Sequence, residues 1–218
     1  MSSVSNPPKP GHEKVAIHGE HHHICRLAAQ LNVMAETARY AELKQIIKSL
    51  SLKRGHFTLS SGQQSSFYLD CRMTTLSARG SSLIGEMLYE LMAPLHIDAV
   101  GGMTLGADPI VTAVSLTSTR HGDAINGFLV RKETKAHGTG KTVEGHIGPW
   151  MRVVLVEDVV TTGESTLNAI QAVKKISPSI EIAHVIALVD RKQGAAEAFS
   201  QAGIPFLALY DIDAILQE

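Results

Sequence analysis

Residues Arg152 to Ser165, RVVLVEDVVTTGES, join an apolar run to two adjacent carboxylates and then to a turn of hydroxyls and glycine. Val153 to Val156 suit a strand buried on both faces of a parallel sheet, so Glu157 and Asp158 fall where that strand ends. Ligands of open α/β sheets bind there, in the crevice beyond the carboxyl ends of the strands. Gly163 permits a tight turn, Thr161, Thr162 and Ser165 offer hydroxyls, and a helix starting near Ser165 aims its free N–H groups back at the loop. Such a loop holds one phosphate monoester. The two acids repel that phosphate, so they face something else: sugar hydroxyls, a magnesium ion, or positive charge developing during a reaction. The plainer alternative, a strand end whose acids meet a nearby lysine, leaves the glycine-hydroxyl turn unexplained.

Three further segments offer chemistry. RKETKAHGTGKT, Arg131 to Thr142, ends like a nucleotide-binding P-loop, but the first glycine of that pattern would fall at Lys135, so the P-loop reading fails. What remains is Arg131, Lys132, Lys135, His137 and Lys141 in a glycine-bearing segment between two strands, long enough to act as a lid. A charge run is often only a solvated loop. Some twenty residues before a phosphate cradle, it reads better as a clamp on a polyphosphate, with His137 able to donate a hydrogen bond or proton to a leaving phosphate. In LVDRKQG, Arg191 emerges at the same sheet edge as the acid pair and suits a carboxylate or carbonyl-rich ring; the alternative is an ion pair with Asp190 or another acid. GGMTLGADP, Gly101 to Pro109, is a glycine turn opening a helix, whose N–H groups could hold pyrophosphate, although many strand-to-helix turns look alike.

The elements that must position these residues alternate along the chain. SSFYLD, IDAVGG, AINGFLVR, the run into Glu157, IAHVIALVD and PFLALY read as strands. Between them lie helical stretches: ARGSSLIGEMLYELMAPL, with Leu83, Ile84, Met87, Leu88, Leu91 and Met92 on one face, then GADPIVTAVSLTS, residues 165–176, and GAAEAFSQA. Strand and helix in turn make βαβ units, hence an α/β domain with a mostly parallel sheet covered on both faces. Upstream, ICRLAAQLNVMAETARYAELKQIIKSL reads as two helices, which LKRGHFTLSSG then breaks. Residues 1–20 are polar and aperiodic, and His18, His21, His22 and His23 form a loose cluster in which a designed metal role is the lesser reading.

Composition narrows the function classes. With 218 residues and 44% hydrophobic content the chain can bury one ordinary core plus an extension. A formal charge of −1 makes no global case for nucleic acid or an acidic membrane, so an anion site must be local. Cys25 and Cys71 are expected as free thiols in a reducing compartment. No apolar run approaches a membrane span and the N-terminus lacks a secretory core, which points to a cytoplasmic protein.

Together these motifs resemble the type I phosphoribosyltransferases, and within them the orotate phosphoribosyltransferases. VVLVEDVVTTGES resembles the superfamily's phosphoribosyl pyrophosphate motif, VRKETKAHGTGK is similar to the catalytic loop of the orotate enzymes, and FTLSSGQQSSFYLD resembles their N-terminal base-side segment. The likeness covers residues 36–218, with 36–75 as an N-terminal hood and 1–35 as a polar extension. It implies the type I fold and transfer of a phosphoribosyl group from 5-phosphoribosyl 1-pyrophosphate to orotate, in pyrimidine biosynthesis. Glu157 and Asp158 would hold the ribose hydroxyls, and Val159, Val160, Thr161, Thr162, Gly163, Glu164 and Ser165 would wrap the 5-phosphate. Arg131, Lys132, Lys135 and His137 would close over pyrophosphate, with Lys132 or Lys135 central to catalysis, and usually in the neighbouring subunit's site of a homodimer. Thr161 and Arg191 would contact orotate, and Mg2+ would be bound mainly through the donor rather than by protein side chains. Two departures stand out: Ser60 replaces a lysine found in some members, and the Met103 to Ala107 turn has no lysine, a deficit that Lys141 or Arg72 could offset. The rival readings are a purine phosphoribosyltransferase, which shares the acid-pair motif, and a non-catalytic regulator of the same fold that binds nucleic acid, against which the near-neutral charge argues.

Overall fold

The computed structural model describes residues 37–58, 64–132 and 142–217. The chain divides into two units, Met1–Ala38 and Arg39–Glu218; of the first, only Thr37 and Ala38 are described, both helical. The histidine cluster, Cys25, Ser60, Lys135, His137 and Lys141 lie outside the described residues.

Within the second unit, helix α1 (residues 39–46) runs into a single π-turn, Ile47–Ser51. Strands β1 (Leu52–Thr58) and β2 (Gln64–Leu69) form an antiparallel hairpin of their own. A short helix α2 (Arg72–Thr75) and the longer α3 (Ala78–Met92) follow; the Ser77 Oγ accepts from the Gly80 N–H at 3.1 Å and so caps α3. Next come β3 (Ala99–Met103), α4 (Asp108–Arg120), β4 (Asn126–Val130), β5 (Val143–Gly145), β6 (Arg152–Val160), α5 (Glu164–Ile176), β7 (Glu181–Asp190), α6 (Ala195–Gln201), β8 (Phe206–Asp211) and α7 (Ile212–Leu216). The main sheet has six strands in the order β5-β4-β3-β6-β7-β8, all neighbours parallel except β5 against β4.

The apolar run of β6 is used on both faces, as its composition requires. Val154 and Val156 pack with Ile84 and Leu88 of α3 and Ile110 and Val114 of α4, while Val153 and Leu155 pack with Ala169, Ile170 and Val173 of α5 and Phe199 of α6. Each such side chain contributes roughly 1.5–3 kcal/mol by burial, so β6 is held firmly up to the residue before Glu157. From SSFYLD onward the expected strands and helices form; of the two helices expected upstream, residues 24–36 lie outside the described residues. The segment expected to break the helical region is strand β1, most of whose side chains are exposed, so it lacks the apolar alternation that marks a half-buried strand.

Candidate active site

Chain direction along the sheet reverses between β3 and β6: β4 lies outward of β3 on one side, while β7 and β8 continue outward from β6 on the other. This is the switch point at which two strand-to-helix connections diverge and leave a crevice. A cleft of about 600 Å³ opens there. Its walls are Tyr68 to Asp70 at the end of β2, Arg72, the turn Met103–Gly106 after β3, and Lys132 after β4; Glu157 to Val159, Thr161 and Ser165 around the end of β6, and Arg191 after β7, complete it.

The acid pair divides between two environments. The Glu157 carboxylate is buried and accepts a hydrogen bond from the Thr166 hydroxyl at 2.8 Å. Burial pushes its pKa up to about 7, against the Thr166 hydrogen bond; the neighbouring Asp158 adds to the rise and Lys132 opposes it. Asp158 turns toward the β3 turn, where a Cβ on Gly106 would come within 2.5 Å of its Oδ1 and would displace the carboxylate. Burial raises the Asp158 pKa as well; the Val159 N–H at 2.8 Å works against the rise, Asp70 reinforces it and Arg72 opposes it. Two carboxylates that resist ionisation are poised to gain from sugar hydroxyls or from positive charge brought close to them.

Beyond the acids the chain makes a recess of about 90 Å³, lined by Glu157 and residues 159–166. Gly163 stands at φ +81°, and a side chain there would also press on the Phe199 ring, with a Cβ 3.0 Å from it. Helix α5 begins immediately after, and Gly163 supplies no side-chain cap; the Thr162 hydroxyl reaches the Glu164 N–H only at 3.5 Å. The first turn of α5 therefore keeps donors and the positive end of its dipole for an anion of phosphate size. Val159, Val160, Thr161, Thr162, Gly163, Glu164 and Ser165 all line this recess.

The cations separate. Lys132 lies on the cleft, but Arg131 does not line it and pairs with Glu144 of β5 at 3.6 Å. Arg191 is tied through its backbone N–H to the Val160 carbonyl at 2.9 Å, and its guanidinium lies 5.2 Å from the centroid of the Phe67 ring. Its buried Nε has no hydrogen-bond partner, and among the described residues no acid pairs with it; Asp190 accepts instead from the Lys192 N–H at 2.8 Å. The ion-pair alternative for Arg191 is thus not what forms, and the charge stands ready for a ligand. Phe67, Tyr68 and Asp70 complete this side of the site; they belong to FTLSSGQQSSFYLD, expected on the base side as a segment, and only the hairpin singles them out by bringing them beside Arg191 and the acids.

Among the described residues no group of three or more His, Cys, Asp or Glu side chains is arranged to hold a metal ion. Magnesium keeps waters and substrate phosphate oxygens and takes only one or two protein carboxylates, and Asp158 on the cleft could supply one.

No protein-family model matches the chain. Orotate phosphoribosyltransferase of Rhodopirellula baltica is 40% identical over 178 residues, covering 79% of this chain and 91% of that protein. The same enzyme of Corynebacterium glutamicum is 44% identical over 169 residues, covering 78% of this chain and 89% of its own length. Among solved structures, orotate phosphoribosyltransferase of Mycobacterium tuberculosis in complex with 5-phospho-alpha-D-ribosyl 1-diphosphate is similar with a TM-score of 0.68 at 38% identity, covering 81% of this chain and 98% of that one. Adenine phosphoribosyltransferase of Leishmania donovani, at 17% identity and a TM-score of 0.57 over 79% of this chain and 80% of that one, shares the fold.

Proposed function

The chain belongs to the orotate phosphoribosyltransferase family, and from that premise we propose how its cleft transfers the phosphoribosyl group of 5-phosphoribosyl 1-pyrophosphate to orotate, giving orotidine 5'-phosphate and pyrophosphate. The observation that carries the reading is the convergence, at one sheet edge, of a phosphate recess, an acid pair and an unpaired guanidinium. The 5-phosphate takes the recess at Val159 to Ser165, and the ribose hydroxyls donate to Glu157 and Asp158. Orotate lies between Thr161 and Arg191, its carboxylate on the guanidinium. The hood, residues 36–75, contributes Phe67 and Tyr68 to that base side.

As the bond from ribose C1 to pyrophosphate breaks, its electron pair leaves with pyrophosphate and positive charge develops on the sugar. Ionised Glu157 and Asp158 stabilise that charge in a partly dry site, where each is worth more than in water. The orotate nitrogen bonds to C1 on the opposite face, and its proton passes to water. Lys132, with Lys135 and His137 of the following segment, neutralises the departing pyrophosphate. Magnesium on the donor's oxygens would share that neutralisation.

A homodimer is part of this proposal. Met73, Leu76 and Leu105 are exposed apolar side chains around a groove beside the cleft, and Leu116 is exposed farther along α4, a surface that a second copy would cover. Small-molecule substrates rather than nucleic acid fit the charge of −1, and a cytoplasmic setting fits the buried, unpaired Cys71. Among the described residues no helix is long and apolar enough to cross a membrane. The test is direct: purified protein with magnesium and both substrates should deplete the ultraviolet absorbance of orotate, and adenine, guanine or hypoxanthine should not replace it. Unchanged absorbance would remove the assignment.

A further inference from the structure

The cleft holds three carboxylates, Asp70, Glu157 and Asp158, yet must receive a donor with a polyanionic end. Its described cations are Lys132, Arg191 and Arg72. Arg191 stands beyond β7 against Phe67, on the base side, and Lys132 follows β4. The turn Met103–Gly106, which packs on Asp158, carries no cation of its own.

Arg72 is the cation held in place by the protein. Its Nε and Nη2 donate to the two Asp70 oxygens, each at 2.8 Å, and its backbone N–H reaches Asp70 Oδ1 at 3.1 Å. That fork uses two of five guanidinium N–H donors and fixes the plane of the rest. Among the described residues no other acceptor takes the remaining three, and the side chain is 45% exposed where the cleft meets the neighbouring groove, with Leu105 of the β3 turn lining both. Asp70 cancels the formal charge of Arg72 but leaves directed donors, already ordered, at the turn that lacks them.

We propose that Arg72 binds the pyrophosphate group of the donor through the N–H groups that Asp70 leaves over, and that Asp70 is the positioning residue that aims it. This rests on the phosphoribosyl-transfer reading. Because the contact is to pyrophosphate alone, it is separable from the 5-phosphate recess and from the base site.

The test uses Arg72→Gln and Asp70→Asn in the full chain. Arg72→Gln should weaken binding of pyrophosphate and raise KM for the phosphoribosyl donor roughly ten- to a hundredfold, as for loss of a charged hydrogen bond. Affinity for ribose 5-phosphate, which lacks the pyrophosphate, and KM for orotate should stay within about twofold. Asp70→Asn should weaken pyrophosphate in the same direction by a smaller factor. Unchanged pyrophosphate affinity in Arg72→Gln, or an equal loss for ribose 5-phosphate, overturns the binding role; tighter pyrophosphate binding in Asp70→Asn overturns the positioning role. If Arg72→Gln does not fold, Arg72→Lys, which keeps the charge and loses the fork, should show the same selective loss. Calorimetric binding of pyrophosphate reads Arg72 even if the wild-type protein does not consume orotate, so failure of the activity and failure of this contact remain distinct.

Discussion

Glu157→Gln should make the ligand-free protein more stable at alkaline pH while removing most of its activity. The buried Glu157 carboxyl has its pKa pushed up to about 7, from an ordinary 4.5, chiefly by burial. Below pH 4.5 both folded and unfolded chains carry the proton and the carboxyl costs nothing. Between 4.5 and about 7 the unfolded chain has released it and the folded chain has not, so stability falls as pH rises through that window and is flat above it. At roughly 1.4 kcal/mol per tenfold change in proton affinity, the cost at pH 8 is on the order of 3 kcal/mol. Glutamine has the same shape, still accepts from Thr166 and never ionises, so it avoids that cost. For a chain of this size the gain corresponds to about 6–12 °C in Tm. Urea unfolding of both proteins from pH 4.5 to 9 should give curves that coincide at the acid end and separate through neutrality, with the variant on top. Parallel curves, or a variant less stable at pH 8, would refute the account of Glu157 as a carboxylate that burial holds back from ionisation. The same substitution should cut kcat/KM by orders of magnitude, because the neutral amide no longer opposes charge on the sugar.

Arg191→Met should raise KM for orotate roughly ten- to a hundredfold with little change for the phosphoribosyl donor, and should leave the unfolding midpoint near wild type because no acid is orphaned; steady-state kinetics with each substrate varied would expose an error here if both constants rose together. Lys132→Ala should lower kcat about a hundredfold or more without loss of stability, and near-normal turnover in stopped-flow or steady-state assays would remove Lys132 from the chemistry. Leu76→Asp, at a leucine that is 72% exposed, should shift the sedimentation mass from dimer toward monomer; a dimer unchanged by the charge would move the interface elsewhere.

Much of the architecture could be read from residue order. The apolar run of β6 is buried on both faces as its composition demanded, and α3 buries Leu83, Ile84, Met87, Leu88 and Met92 of the face expected to be apolar. Strand β1 was missed because its exposed side chains give no period-two pattern; its partner β2, not its own composition, makes it a strand. Strand β5, three residues long, carries too little sequence to register a pattern. The glycine-hydroxyl turn was legible because Gly163 is a backbone requirement, stated by residue type.

Other properties of the site exist only in three dimensions. Adjacent acids at the end of β6 announced a polar ligand, yet which one is buried depends on Thr166 and the loops around it. Arg131 and Lys132 are neighbours in sequence, but pairing with β5 holds Arg131 on Glu144 while Lys132 reaches the cleft. Arg72 could be named from sequence as a cation for pyrophosphate, but its fork with Asp70 exists only where β2 ends beside the β3 turn. The sequence by itself determined which groups could bind phosphate, sugar and carboxylate, because those are properties of side chains and of turns a few residues long. Tertiary structure decided which of them meet, and how readily each ionises, because proximity and dielectric are set by segments far apart in the chain.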